Sequence, residues 1–114
     1  MSYRATATDF FEKKIKNYSR KYRRIRKDYA EFLDVVEKDP YSGDRIQGCK
    51  GPVFKGRMAC GDMQKGKSGG FRVMYLVLEQ EKEIHLLTLY PKNERKTIDA
   101  SEINQILLKA FLYQ

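Results

Sequence analysis

The chain has 114 residues, of which 41% are hydrophobic and 33% charged, and a net charge of +8. That length suits one domain with a real core, and the composition excludes a disordered or collagen-like chain. No stretch approaches the roughly 20 apolar residues that span a bilayer, and the opening Met1-Ser2-Tyr3-Arg4-Ala5-Thr6 has no apolar signal core, so a cytoplasmic location is expected.

Tyr3 to Thr8 is a short polar and β-branched run that suits an edge strand. Thr8 or Asp9 can cap the helix that begins there, because either side chain accepts from a free first-turn N–H. Phe10 to Lys38 contains no Gly or Pro, and apolar residues recur at Phe11, Ile15, Tyr18, Tyr22, Ile25, Tyr29, Phe32 and Val36. Alternating steps of four and three make a helical stripe. One helix of that length would run about 40 Å, too long for a domain expected to have a radius near 13 Å. Compactness therefore predicts a helical hairpin that breaks between Ser19 and Arg24.

Asp39-Pro40 ends the second helix, and a Pro-, Gly- and Asp-rich loop runs to Pro52. Three strands are expected next, over Val53 to Cys60, Phe71 to Leu78 and Glu83 to Tyr90. A Gly- and Lys-rich loop, Gly61 to Gly70, separates the first two, and Glu79 to Lys82 turns between the last two. A final helix covers Ala100 to Leu112. Asp99 and Glu102 stand as a variant capping box, and Ile98 and Ile103 as a hydrophobic staple. Helices and strands are segregated along the chain, which indicates an α+β two-layer domain with a mostly antiparallel sheet.

Cys49 and Cys60 are too few and too isolated for a zinc site and read as reduced thiols. Gly66-Lys67-Ser68 lacks the spacing and the flanking elements of a phosphate loop. The single histidine, His85, reads as packing or surface, and its solitude excludes a two-histidine acid–base mechanism.

The positive charge is localised. Glu12 to Lys27 holds nine Lys or Arg and one acid, and the rest of the chain is close to neutral. Such a patch suits a polyanion or an acidic protein, or it is a solvated helix face that keeps the protein soluble. A second group of cations lies on the strands. Lys55 and Arg57 share a face because they are two apart. Lys65 and Lys67 lie in the glycine-rich loop, and Arg72 interrupts an apolar strand, where a charge needs a partner or a function. Tyr90-Pro91-Lys92-Asn93-Glu94-Arg95 closes the last strand. Gathered at neighbouring strand ends, these groups suit a phosphate, since Arg offers a planar fork and Lys a point charge. Cleavage of RNA needs a base for the 2′-hydroxyl, donors for phosphorane charge and an acid for the leaving oxygen. Taken singly, each residue is equally an ordinary surface charge.

Four blocks carry a family resemblance. Lys67-Ser68-Gly69-Gly70-Phe71-Arg72-Val73-Met74-Tyr75 resembles the K-S-G-G-x-R-V-I-Y strand of the HigB-like branch of the RelE/ParE toxin superfamily. Ile84 to Glu94 is similar to its I-x-L-L-T-x-Y-x-K-x-E strand. Asp39 to Gly48 resembles the N-P-x-x-G-x-x-I-x-G loop, and Val53-Phe54-Lys55-Gly56-Arg57 resembles the first core strand. Order and spacing agree over nearly the whole chain.

The resemblance implies an α+β, RelE-like fold, with an N-terminal helical hairpin packed on a small twisted antiparallel sheet and a C-terminal helix. It implies a ribosome-dependent endoribonuclease that cuts messenger RNA through the 2′-oxygen, with no metal and no cofactor. Its partners would be the ribosome, messenger RNA and a cognate antitoxin containing a helix-turn-helix, with no membrane. Carried over by position, Arg72 matches the arginine on the scissile phosphate, and Lys55 and Arg57 match RNA-binding positions that include a candidate base. Lys92 and Glu94 match the polar segment after the strand. Lys65, Lys67, Tyr90 and Arg95 would contact RNA, and Arg20, Arg23 and Arg24 ribosomal RNA or an antitoxin. The family's tyrosine near the last helix has no counterpart, since Asp99 falls there, and the acid is left open. The same fold also hosts gyrase-poisoning ParE-like toxins, and an inactive interaction domain is a third reading.

Overall fold

The computed structural model describes residues 2–62, 69–95 and 97–111 of the chain. The elements are β1 (Arg4–Ala7), α1 (Asp9–Tyr18), α2 (Ile25–Lys38), β2 (Asp44–Arg45), β3 (Val53–Met58), β4 (Phe71–Leu78), β5 (Glu83–Pro91) and α3 (Ala100–Phe111). The hairpin breaks where compactness required, between Tyr18 and Ile25, and the radius of gyration is 13.4 Å. Thr8 caps α1 by accepting from the Phe11 N–H at 3.2 Å. The start of α2 has no side-chain cap of its own. Instead the Asp62 carboxylate accepts from the Arg24 N–H, and Asp28 accepts from the Gly61 N–H, both at 2.9 Å. This reciprocal clip ties the end of β3's exit segment to the helical turn.

The five strands form one sheet in the order β1-β5-β4-β3-β2, with β1 parallel to β5 and the other pairs antiparallel. The two-residue β2 lies in the segment read from sequence as loop. It is too short for an alternation pattern, and it owes its place to pairing with Phe54 and Lys55.

Helices cover both faces, so there are three layers rather than the two expected from sequence. The reason lies in β4, where every residue from Phe71 to Val77 is buried. A strand apolar on both faces needs cover on both. Phe71, Val73, Tyr75 and Val77 meet the α1–α2 hairpin together with Phe11, Ile15, Tyr22 and Ile25. Met74 and Leu76 meet α3 through Ile103 and Leu107, with Val53, Leu87, Tyr90 and Ile98.

One irregularity decides which face the end of β5 presents. Tyr75 pairs with Leu86 but Met74 with Thr88, so Leu87 is an extra residue on β5. Before this bulge, Ile84 and Leu86 face the hairpin. After it the parity is reversed, as an inserted residue requires. Leu89 then faces the hairpin, and Tyr90 turns toward α3.

Candidate functional site

Register places three of the sequence-selected residues side by side. Arg57 pairs with Arg72 across β3 and β4, and Arg72 pairs with Tyr90 across β4 and β5. Directly opposite residues in an antiparallel pair project to the same side, about 5 Å apart. The row therefore runs Arg57, Arg72, Tyr90 on the α3 face, at the end of the sheet where β4 begins. Lys55 lies on the same face two residues in, opposite Met74. Without the bulge at Leu87, Tyr90 would point to the hairpin face and the row would lose its third member.

The close start of β4 depends on glycine. Gly70 has φ +82°, and a Cβ there would sit 2.5 Å from the Met58 carbonyl oxygen. Only glycine adopts that conformation without strain and allows that approach. The Gly70 carbonyl accepts from the Lys92 N–H at 3.0 Å, which brings Lys92 to the same sheet end.

Arg72 is only 6% exposed. Its Nη1 donates to the Gly69 carbonyl at 3.4 Å. Among the described residues no carboxylate pairs with Arg72, Arg57 or Lys55. Burial, and after it the Arg57 guanidinium, pulls Arg72 below the usual arginine range, while the Tyr90 phenol opposes this. Burial raises the Tyr90 phenol, against the pull of Arg95 and then Arg72. Two cations directly opposite on neighbouring strands repel each other. A buried cation with no acid beside it is costly. An anion placed between them would relieve both terms.

Arg95 joins from the connection to α3. Its Cζ lies 5.3 Å from the centroid of the Tyr90 ring, within cation–π range. Its fork is taken by Glu102, with Nη1 and Nη2 donating to the two carboxylate oxygens at 3.2 and 3.0 Å. Sequence reading missed this pair because it treated Glu102 as half of a capping box. Asp99 does cap, accepting from the Glu102 N–H at 2.9 Å, but the Glu102 carboxylate reaches Arg95 instead of returning to the cap. A seven-residue separation across a loop carries no periodic signal.

Glu94 is exposed, in the turn that follows β5, and its charge acts, with that of Arg95, on Lys14 and Tyr18 of α1. Lys65 and Lys67 lie outside the described residues. Arg20, Arg23 and Arg24 are exposed on the turn between α1 and α2. That turn backs onto the same sheet end, for the rings of Tyr18 and Tyr22 lie 5.2 and 5.3 Å from that of Phe71, the neighbour of Arg72. The cations thus occupy both sides of one end of the sheet. His85 is elsewhere, hydrogen-bonded to Glu83 at 3.1 Å and edge-on to Phe111. Cys49 and Cys60 form no disulfide. No group of His, Cys, Asp and Glu among the described residues could hold a metal ion, and none of their helices is long and apolar enough to cross a membrane.

No family model matches the sequence. The fold, however, is that of solved RelE structures. An arginine-to-alanine double variant of E. coli toxin RelE, in the free state, superposes with a TM-score of 0.62 at 15% identity, covering 97% of this chain and 99% of that one. A chain of the archaeal RelE–RelB complex from Pyrococcus horikoshii OT3 superposes with a TM-score of 0.55 at 23% identity, covering 83% of this chain and 100% of that one. The chain has a RelE-like α+β fold.

Proposed function

We propose that this chain is the toxin of a toxin–antitoxin pair and acts as a ribosome-dependent endoribonuclease on messenger RNA. The observation that carries the reading is the row Arg57–Arg72–Tyr90, two opposed guanidiniums, one of them buried, that pair with no carboxylate among the described residues. The RelE-like fold and the HigB-like blocks of sequence support it.

In this mechanism the row grips the scissile phosphate. Arg72 faces the non-bridging oxygens and stabilises the charge that builds on them as the 2′-oxygen attacks phosphorus and the 5′-oxygen leaves. Its low exposure strengthens that interaction relative to water. Arg57 supplies the second fork, and Lys55 stands beside it as the candidate base for the 2′-hydroxyl. Lys92 adds charge at the same end. The products are a cyclic phosphate and a 5′-hydroxyl. Glu94, in the turn after β5, stands in the polar segment that the sequence resemblance assigns to the catalytic end.

The exposed cations of the helical turn extend this surface to ribosomal RNA. Arg23, Arg24, Arg26 and Lys27 cluster at the start of α2, where the helix dipole disfavours positive charge. Phosphate neutralisation on docking rewards such a patch. RelB in the archaeal complex provides the precedent for a protein antitoxin as the silencing partner.

The test is a translating system programmed with one message. Primer extension should show new 5′ ends within translated codons, and those ends should accept phosphate from a polynucleotide kinase because they carry hydroxyls. An intact message together with broken DNA would move the chain to the gyrase-poisoning branch.

A further inference from the structure

The geometry points to Glu102 as a positioning residue that holds Arg95 over Tyr90 and so fixes a third cation beside the Arg57–Arg72 pair. This deepens the ribonuclease reading and rests on it.

Arg95 lies in the connection between β5 and α3, where neither strand nor helix fixes it. Its guanidinium is nevertheless held on every edge. Nε donates to the Thr97 carbonyl at 3.0 Å, and Nη1 and Nη2 donate to Glu102 Oε2 and Oε1 at 3.2 and 3.0 Å. The Arg95 Cζ lies over the Tyr90 ring, 5.3 Å from the centroid. Glu102 is itself anchored, since its N–H donates to Asp99 at 2.9 Å and Ile98, Ile103 and Leu107 seat this end of α3 on the sheet.

Stability is a poor explanation for the pair. Both side chains are more than 40% exposed, at 42% and 46%, and ion pairs of that kind add little. An acid this close to a phosphate site also repels RNA. Direction explains it better, because a two-pronged carboxylate fixes the plane of a guanidinium as one hydrogen bond does not. Tyr90 is the register partner of Arg72, and its phenol feels both Arg72 and Arg95. Holding Arg95 on that ring therefore holds it to the row. Half-buried Lys14 of α1 also faces Glu102, Glu94 and Arg95, so the carboxylate is offset by a second cation when RNA enters.

The experiment compares Glu102→Ala, Arg95→Ala and the double variant in the ribosome-programmed cleavage assay. Glu102→Ala should lower kcat about tenfold with little change in KM. Arg95→Ala should cost about as much, and the double variant no more than Arg95→Ala alone, because Glu102 acts through Arg95. Glu102→Gln, which keeps the shape and one acceptor, should recover part of the loss. All four should melt with the wild type. Losses that multiply in the double variant, or a Glu102→Ala variant that cuts at the wild-type rate or faster, would overturn the proposal. If the wild type does not cut at all, the ribonuclease reading fails, and the positioning is then judged by 15N NMR. A slowly exchanging Arg95 Nε–H in the wild type that becomes fast in Glu102→Ala upholds it, and equal exchange in both refutes it.

Discussion

At the start of β4, two consecutive residues meet opposite environments. Phe71 points to the hairpin, fully buried, with the rings of Tyr18 and Tyr22 packed edge-on against it. Arg72 points the other way and is almost as buried, but its neighbours are Arg57, a carbonyl and the Tyr90 phenol. The hairpin face packs apolar surface on apolar surface, and its one recorded loose end among the described residues is the buried Tyr22 hydroxyl, which has no hydrogen-bond partner. The α3 face at this end is incomplete, because like charges oppose each other and a buried fork lacks an acid among the described residues. The first face contributes packing at this end, and the proposed function assigns an external anion to the second. Natural sequences depart from local consistency chiefly where function requires it.

The contrast is sharpest under paired truncation. Phe71→Ala should cost about 3–5 kcal/mol of unfolding free energy, read from urea denaturation, and any activity lost should follow the folded fraction. Arg72→Ala should do the reverse, lowering the cleavage rate about 10²–10³-fold while the unfolding midpoint stays level or rises. A marked loss of stability in Arg72→Ala with full cleavage by the folded fraction would make the arginine a structural residue and end the contrast.

A smaller effect is expected at Arg57. Removing one of two opposed cations relieves repulsion worth a few tenths of a kcal/mol up to about 1 kcal/mol, so Arg57→Ala should melt slightly higher. It should bind single-stranded RNA more weakly, with a salt slope reduced by about 0.7 for the lost phosphate contact. Equal salt slopes in the two proteins would remove Arg57 from the interface.

The smallest effect lies far from the row. Glu83 accepts from Arg4 at 2.8 Å and bonds to His85 at 3.1 Å, and these two hydrogen bonds hold its carboxyl below the usual range. A depressed carboxylate stabilises the fold above its unfolded pKa, and that stability is lost as pH falls through the folded value. Glu83→Gln should therefore flatten only the acid limb of a stability–pH curve and leave cleavage unchanged. A change in cleavage would show that the β1 edge communicates with the row.

The legible parts of the fold were those with local causes. The 4-3 apolar stripe marked α1 and α2, Asp99 and the Ile98–Ile103 staple marked α3, and Phe71–Leu78 was readable to the residue because its apolar run is bounded by glycine and a polar turn. The grouping of Lys55 and Arg57 on one face also followed from a period of two. The short β2 was not legible, because two residues carry no period. Three layers rather than two did not follow from the segregation of helices and strands, although the apolar run Val73–Leu78 in β4 already required cover on both faces.

What the amino-acid order determined alone was every element but the two-residue β2, their amphipathic faces and the supply of cations at the strand ends, since these depend on spacings of two to four residues. Which cations meet was decided only in the folded chain. The register of β3 on β4 set Arg57 against Arg72, the extra residue Leu87 rotated Tyr90 into line with them, and Glu102 was drawn from its cap to Arg95. Each of these depends on the positions of residues distant in sequence. A single inserted residue in one strand, invisible to any local pattern, reverses every side chain beyond it.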